Sequence, residues 1–509
     1  MVIARQGKCV NSSNCPIARG HEIHTIPDGS DFHCPVCGHE LVEVRTHAHK
    51  RTNSMIFAVP AVLLLLLSGF AALVTWNPLR KASAADSIGA RHVILRLSGS
   101  NTVGESLMPA LAEAFLKSRG ATNVHTVAGA KSQEKAVLGI LPGDSFPSSI
   151  QIAAHGSATA FTSLAENSCD IGMASRRIKP EEANKLSSLG NMFGPASEHV
   201  LGLDGIAVIV NASNPVAELS KDEIMRLFTG ESADWPKAGS SKVAAKIYAR
   251  DDKSGTYDTF KTLVLGGKPL AQGARRFEDS NELSDAVAHD PNGIGFIGLP
   301  FVHNAKPIAV SEKGTRALLP TRLTVATEDY SLSRRLYLYT PATPANKLTG
   351  QFVEFALSKQ GQDVVAANGF VAQNVAVENA QGVSDAAPDE YRQLTRNAER
   401  LSLDFRFQPG QSEPDNKAQV DVDRVISLIA DRKGTGDKIL LFGFADSIGS
   451  PTANQSLSLS RAKIIQDQFV QRGLKPAIVR GFGSNLPVAS NDNPDGREKN
   501  RRVEIWVRN

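Results

Sequence analysis

Hydrophobic and polar positions along this chain repeat with different periods, and the changes of period divide it. From Met55 to Trp76 there are 22 residues without a single Asp, Glu, Lys or Arg, including the block Val62 to Leu67. At about 1.5 Å per residue, a helix of that length covers the roughly 30 Å hydrocarbon core of a bilayer. The run therefore predicts a membrane span, which Pro60 is free to kink. A signal peptide is the competing reading, because Ala82-Ser83-Ala84 has a small-x-small pattern. Signal-peptide apolar regions, however, are about 7–15 residues long and lie close to the N-terminus. Here 54 residues come first.

Beyond a polar stretch from Asn77 to Ala90, strand-like and helix-like periods alternate. His92 to Leu97 is a β-branched apolar run that ends in Ser98-Gly99-Ser100-Asn101-Thr102, after which Leu107, Leu111 and Phe115 recur at helical spacing. Val243, Ala245, Ile247 and Ala249 alternate as in a strand. Arg250-Asp251-Asp252-Lys253-Ser254-Gly255-Thr256 follows, and then Phe260, Leu263 and Val264 share a helix face. Gly293-Ile294-Gly295-Phe296-Ile297-Gly298 has dinucleotide-loop glycine spacing, but Leu299-Pro300 follows in place of a helix. It reads as a closely packed strand.

From about Glu378 to Asp389 the chain turns polar, predicting a second linker. Leu401, Leu403, Phe405 and Phe407 then alternate with Ser402, Asp404 and Arg406, the pattern of a half-buried strand. Val422, Val425, Ile426 and Ile429 fit a helix, and Lys438 to Phe442 a strand leading into Gly443-Phe444-Ala445-Asp446. A further helix places Ala462, Ile465 and Phe469 on one face, with Gly473 as its stop. Alternation from Asn500 to Val507 closes the chain as a strand.

The roughly 430 residues after the apolar run exceed one ordinary domain of about 100–200 residues. Net charge is only +4 over 509 residues, and no basic tract is interleaved with aromatics, so nucleic acid is not an expected partner. No nucleophile elbow, Walker loop or metalloprotease helix occurs; His21 and His24 stand three apart, not four. The chain does not read as an enzyme.

Four of the five cysteines precede the apolar run as two pairs, Cys9 with Cys15 and Cys34 with Cys37. Cys34-Pro-Val-Cys37-Gly38 is a tight turn in which two thiolates reach one ion. So short a segment has too little core to fold without a metal, and zinc prefers a tetrahedron of such ligands. The wide first pair departs from the usual knuckle and leaves His21, His24, His33 and His39 as alternative ligands. Disulfides or free thiols are the competing readings; an adjacent Cys-x-x-Cys favours metal in a reducing compartment. Cys169 has no partner after the run and reads as a small buried apolar residue.

A strand, a hydroxyl-rich loop and a helix start make an anion site, because free backbone N–H groups point into the loop. Both Ser98 to Thr102 and Arg250 to Thr256 have this form. Thr102 and Glu105 also have capping-box spacing, so Thr102 could simply cap its helix. The second loop adds the fixed charge of Arg250, and Gly255 lets backbone approach a ligand. Asp252 repels a bound anion unless that anion has a proton to donate, which points to phosphate over sulfate.

Residues from about 92 to 375 resemble the phosphate-binding proteins of ABC transporters (PstS), a two-lobed periplasmic family. The resemblance rests on Ser98 to Val103, Asp170-Ile171-Gly172-Met173-Ala174-Ser175-Arg176 and Arg250 to Thr256. Asp204 to Val208, Asn214-Pro215, Phe228-Thr229-Gly230 and Trp235 add to it. It implies Ser100, Thr102, Ser175, Arg250, Asp252, Ser254, Gly255 and Thr256 as phosphate contacts, and an ABC-type permease as a partner. Where some family members carry a second Asp, this chain has Ser175-Arg176. Arg176 either strengthens anion binding or faces away to an acidic neighbour.

About 110 C-terminal residues resemble the OmpA-like peptidoglycan-binding domain, on Asp446, Asn454, Leu457-Ser458, Arg461-Ala462, Pro487 and Asn500-Arg501-Arg502-Val503. The resemblance implies that Asp446, Asn454 and Arg461 hold the diaminopimelate of a wall peptide, a zwitterion suited to one acid and one guanidinium fork. The competing reading is a purely structural Asp446–Arg461 ion pair. Phe444 and Ala445 stand where the family commonly has His and Thr. Arg501 and Arg502 read as structural or rim residues.

The expectation is a multidomain α/β chain with residues 1–50 as a zinc-ribbon-like segment, 55–76 as a transmembrane helix and 77–90 as a linker. A two-lobed phosphate-binding domain occupies 91–377, a linker 378–390, and a smaller α+β OmpA-like domain 391–509. Flanking charges are balanced across the span, so the domains set its orientation: thiolate ligands inside, wall and solute binding in the periplasm. That predicts an inner-membrane protein with its N-terminus in the cytoplasm. Association with the outer membrane or wall is the alternative.

Overall fold

The computed structural model describes residues 5–8, 23–26, 33–34, 41–43, 92–235, 244–252, 254–378, 386–407, 413–432 and 436–508. They divide into two units, at Lys81 and Ala82. The expected span, Met55 to Trp76, lies outside the described residues; among those described, no helix is long and apolar enough to cross a membrane.

In the first unit, Arg5–Lys8 pairs antiparallel with both Ile23–Ile26 and Val42–Glu43. Cys34 is buried. Cys9, Cys15 and Cys37 lie outside the described residues, so the four-ligand set expected for zinc is not described as a whole.

The second unit is built on one long mixed sheet. Its strands run in the order Arg275–Phe277, Lys246–Arg250, Gly293–Gly298, Glu198–Val210, Ser333–Tyr339, Ile171–Ala174, His92–Gly99, Ser148–Ala153, Glu134–Ile140 and Thr122–Ala128. Parallel pairs on each side meet in the middle at two antiparallel strands, Glu198–Val210 and Ser333–Tyr339, while the first lobe's outermost strands, Glu134–Ile140 and Thr122–Ala128, pair antiparallel. Two separate cores flank them. Leu97, Leu111, Phe115, Ile150 and Phe352 pack in the first lobe, and Phe228, Ile247, Phe260, Phe296 and Tyr330 in the second. The two middle strands are therefore the hinge.

Gly293–Gly298 is a strand, as its context predicts, and a Cβ at Gly295 would come within 2.9 Å of Val287. The two loops expected to bind an anion follow the strands His92–Gly99, in the first lobe, and Lys246–Arg250, in the second.

A third core belongs to the C-terminal sheet, ordered Val377–Glu378, Ala398–Arg406, Arg502–Arg508, Ile439–Gly443 and Ile478–Gly481. The helices Asn416–Asp431 and Pro451–Gln471 pack on one face through Val422, Val425, Ala462, Ile465 and Phe469. Tyr391, Phe442, Phe444, Phe482 and Trp506 fill the other.

Two expectations are corrected here. The linker expected from 378 to 390 is shorter, because Val377–Glu378 is already a strand of the C-terminal sheet and Asp389–Thr395 a helix packed in its aromatic core. Ala398–Arg406 is buried on both faces instead of one. Its polar positions face the binding domain: Arg400 pairs with Asp329 at 2.7 Å and with Asp404 at 2.9 Å, and Arg406 donates to the Thr327 carbonyl. Alternation records an ionic layer between domains, with no solvent on either side.

Candidate functional site

The first anion loop turns at Gly99, whose φ is +142°. A Cβ there would lie 2.0 Å from the Met173 carbonyl oxygen, the atom to which Ser100 N donates at 2.8 Å. Only glycine lets the two parallel strands of the first lobe approach so closely at their ends. Ser100 is fully buried, and its Oγ has no hydrogen-bond partner.

Two further serines join it. Ser157 opens the helix Ser157–Ala165. Its Oγ accepts from Ser175 N at 3.0 Å and lies 3.2 Å from Ser175 Oγ. From the second lobe, Ser254 caps the helix Gly255–Leu263, accepting from Tyr257 N at 3.4 Å. A Cβ at Gly255 would lie 2.6 Å from Ser175 Oγ and 3.7 Å from both Ser100 Oγ and Ser157 Oγ. Three hydroxyls of one lobe thus converge on the bare backbone that starts a helix of the other. Thr102 Oγ1 and Thr256 Oγ1 close the same junction at 3.5 Å.

Thr102 does not cap the helix that follows, since Ser106 stands at its N-cap position. Its hydroxyl instead accepts from Arg334 Nη2 at 3.3 Å, as Thr256 Oγ1 does at 3.0 Å. Arg334 Nη1 donates to the Gly255 carbonyl at 3.0 Å, and Asp204 holds the guanidinium at 2.7 Å. A guanidinium only donates, so both threonine oxygens accept from Arg334; one hydroxyl proton can bridge the threonine pair and the other is left to donate. Sequence reasoning missed Arg334 and Ser157. The available signals were an arginine doublet at Arg334 and Arg335 opening an otherwise apolar strand, and Asp204 within another.

Ser100, Thr102, Ser175, Gly255 and Thr256 are therefore brought together, with Ser254 behind them as a cap. Arg250 is buried beside the cage. It donates to the Phe277 and Glu278 carbonyls at 3.3 and 2.7 Å and to Ser280 Oγ. Burial pulls its guanidinium below the ordinary value and Glu105 opposes that shift. With Asn101, Glu105, Lys131 and His155 it lines an interlobe cleft of about 440 Å³. Asp252 is not brought in. Its side chain is 85% exposed and pairs with Arg276 at 2.7 Å, because the neighbouring strand presents that arginine outward. Arg176 is held by acidic neighbours, pairing with Glu182 at 2.7 Å and with Asp258 of the helix Gly255–Leu263 at 3.6 Å and stacking on Phe161.

In the C-terminal domain Asp446 follows the strand Ile439–Gly443. Its Oδ1 accepts from Ile448 N and its Oδ2 from Arg501 Nη1, each at 2.9 Å. Arg501, expected at the rim, thus holds the acid. Arg461 is buried over the Phe407 ring with Nε and Nη1 unpartnered. Burial and then the Arg501 charge pull it down to about 10, with Asp446 opposing. Asn454 is buried in the first turns of the same helix. Phe444 is a core residue on which Arg502 stacks at 3.9 Å.

Fold and site together define a two-lobed, hinge-type anion-binding protein joined to a wall-type domain. A model of the PBP superfamily domain matches residues 116–360, and an OmpA family model residues 406–501. The phosphate-binding protein PstS of Staphylococcus saprophyticus is 31% identical over 228 residues, 43% of this chain and 69% of its own length. PstS of Staphylococcus aureus (strain bovine RF122 / ET3-1) is 30% identical over 226 residues, 43% of this chain and 67% of its own. A solved ABC-type phosphate transport receptor from Vibrio cholerae is 22% identical with a TM-score of 0.43, covering 54% of this chain and 99% of that one. The chain belongs to the PstS phosphate-binding protein family, and it carries an OmpA family domain after it.

Proposed function

We propose that this chain is a cell-envelope phosphate-binding protein that captures inorganic phosphate between its lobes and is held to peptidoglycan by its C-terminal domain. The observation that carries the reading is the cage at Gly255, where three serine hydroxyls converge on a helix start and Ser100 Oγ has no partner. Hydroxyls and helix N–H groups supply short donors to a tetrahedral oxyanion. Arg334 orients two more hydroxyls and Arg250 adds charge beside them. At the wall site, Asp446 and Arg501 with the unpartnered nitrogens of Arg461 suit the ammonium and carboxylate of a diaminopimelate side chain.

The apolar run Met55 to Trp76 serves in this proposal as an inner-membrane anchor, with a zinc ribbon of Cys9, Cys15, Cys34 and Cys37 in the cytoplasm. The bound phosphate is handed to an ABC-type permease or sensed in place.

A second reading follows from the position of the carboxylates. With Asp252 turned outward to Arg276, the loop carboxylate expected to accept a ligand's proton is not in the cage, which is rich in donors. Such a site also accepts a fully ionised oxyanion such as sulfate. Calorimetric titration with phosphate and with sulfate separates the two. Phosphate heat with an affinity that falls in Ser100→Ala supports the first reading; no heat with phosphate at millimolar concentration refutes it, and heat with sulfate alone selects the second.

A further inference from the structure

We propose that the wall-type domain is a strut across the hinge of the binding domain, so that its docking slows lobe opening and anion release; this rests on the anion-binding reading above. Its contacts divide between the lobes. On the first lobe, Asn416 Nδ2 donates to the Phe193 carbonyl at 2.9 Å and to Glu198 Oε1 at 3.1 Å. Arg424 Nη1 donates to Gln373 Oε1 at 2.9 Å. On the second, Ser490 N donates to Glu312 Oε2 at 2.6 Å, and Lys313 pairs with Asp492 at 3.1 Å.

Between these two sets lies the hinge itself. Arg335 pairs with Asp415 at 2.7 Å, at the N-cap of the helix Asn416–Asp431. Lys499 Nζ donates to the Tyr330 and Ser331 carbonyls at 3.1 and 2.9 Å and to Ser333 Oγ at 3.1 Å. Because side chains alternate along a strand, consecutive arginines serve opposite sides. Arg334 organises the anion cage, and Arg335 holds the wall-type domain.

Proteins of this two-lobed kind exchange ligand by hinge motion. Here the lobes cannot part as rigid bodies without breaking one set of contacts to the third domain. Docking and anion retention are therefore linked, and the linkage runs both ways: occupancy of the cage favours docking as much as docking favours occupancy.

The test uses the full chain with radiolabelled inorganic phosphate, its release followed by rapid filtration, alongside hydrogen exchange read by mass spectrometry. Asn416→Ala with Arg424→Ala removes the first-lobe contacts and leaves the buried arginines at the hinge in place. Arg335→Lys is an independent variant that keeps the charge and loses the fork. Both are expected to exchange faster in residues 416–431 and to release phosphate at least tenfold faster. They are also expected to exchange faster in residues 255–263, a helix whose polar contacts lie inside the binding domain. If residues 416–431 loosen while release and exchange at 255–263 match the unaltered protein, the strut is refuted. If the unaltered protein retains no phosphate, the anion reading fails instead, and exchange at 255–263 alone then decides for or against the strut.

Discussion

Arg334 and Asp204 form a fully buried ion pair, 2.7 Å from Nη2 to Oδ2, between the two strands that join the lobes. The carboxylate also accepts from Leu299 N at 3.3 Å, so it is held by the second lobe as well as by the facing hinge strand. Removing one partner of such a pair strands a charge and costs about 3–5 kcal/mol. Arg334→Met is therefore expected to lower stability in urea unfolding by that order and to weaken phosphate binding, because Thr102 and Thr256 lose their common donor. Arg334→Met combined with Asp204→Leu should recover much of the stability but not the affinity. Recovery of both would show that the pair has no part in ordering the cage.

Phosphate affinity should be most sensitive at Gly255. A methyl group there would sit 2.6 Å from Ser175 Oγ, in the space where the hydroxyls converge. Gly255→Ala is expected to abolish calorimetric binding while leaving the fold intact. Ser100→Ala removes one hydrogen bond to a charged ligand, about 1.5–3 kcal/mol, or roughly 10- to 100-fold in Kd. Because Ser100 Oγ has no partner, the alanine variant should be as stable as the parent or slightly more so. An unchanged Kd in both variants would remove the cage from the binding site.

The two anion loops were legible because each follows a strand of clear period and opens a helix, a local pattern confined to a few residues. Arg334 was not, since its role depends on a contact 232 residues away at Thr102. Ser157 escaped for the same reason: its partner Ser175 comes from the next strand of the sheet. Asp252 lies in the right loop, but the parallel neighbour brings Arg276 alongside, a pairing that no spacing within the loop encodes. The strand from Ala398 to Arg406 is the most instructive case. Its alternation correctly marked a strand with two unlike faces. Period alone could not say that Arg400, Asp404 and Arg406 meet another domain in place of water.

Acid should weaken the fold through His199. This histidine lies on the hinge strand Glu198–Val210, and burial pulls its pKa from 6.5 to about 4, with a hydrogen bond to Ala196 opposing. Between those values the unfolded chain binds a proton that the folded chain does not. Stability is therefore complete above about pH 6.5 and falls as pH drops toward 4, by at most about 3 kcal/mol. His199→Gln, which keeps a polar group near Thr340, should flatten the pH dependence across that window. Equal slopes in parent and variant would assign the acid sensitivity to other groups.

The wall site carries a trade between stability and binding. Arg461 is 3% exposed, stacked over Phe407, and leaves two guanidinium nitrogens unsatisfied beside the like charge of Arg501. A buried cation in that position is costly until an anion arrives to pair with it. Arg461→Met keeps the apolar stem against Phe407 and removes the charge, so it is expected to raise the unfolding midpoint of the C-terminal domain. The gain should be about 1–2 kcal/mol, in the range seen when a functional group that strains its surroundings is replaced. The same variant should lose retention on purified sacculi. Asp446→Ala should also lose retention, but without the stability gain, because it strands Arg501. If Arg461→Met were destabilising and still pelleted with sacculi, Arg461 would be a structural residue and the site would lie elsewhere on the domain.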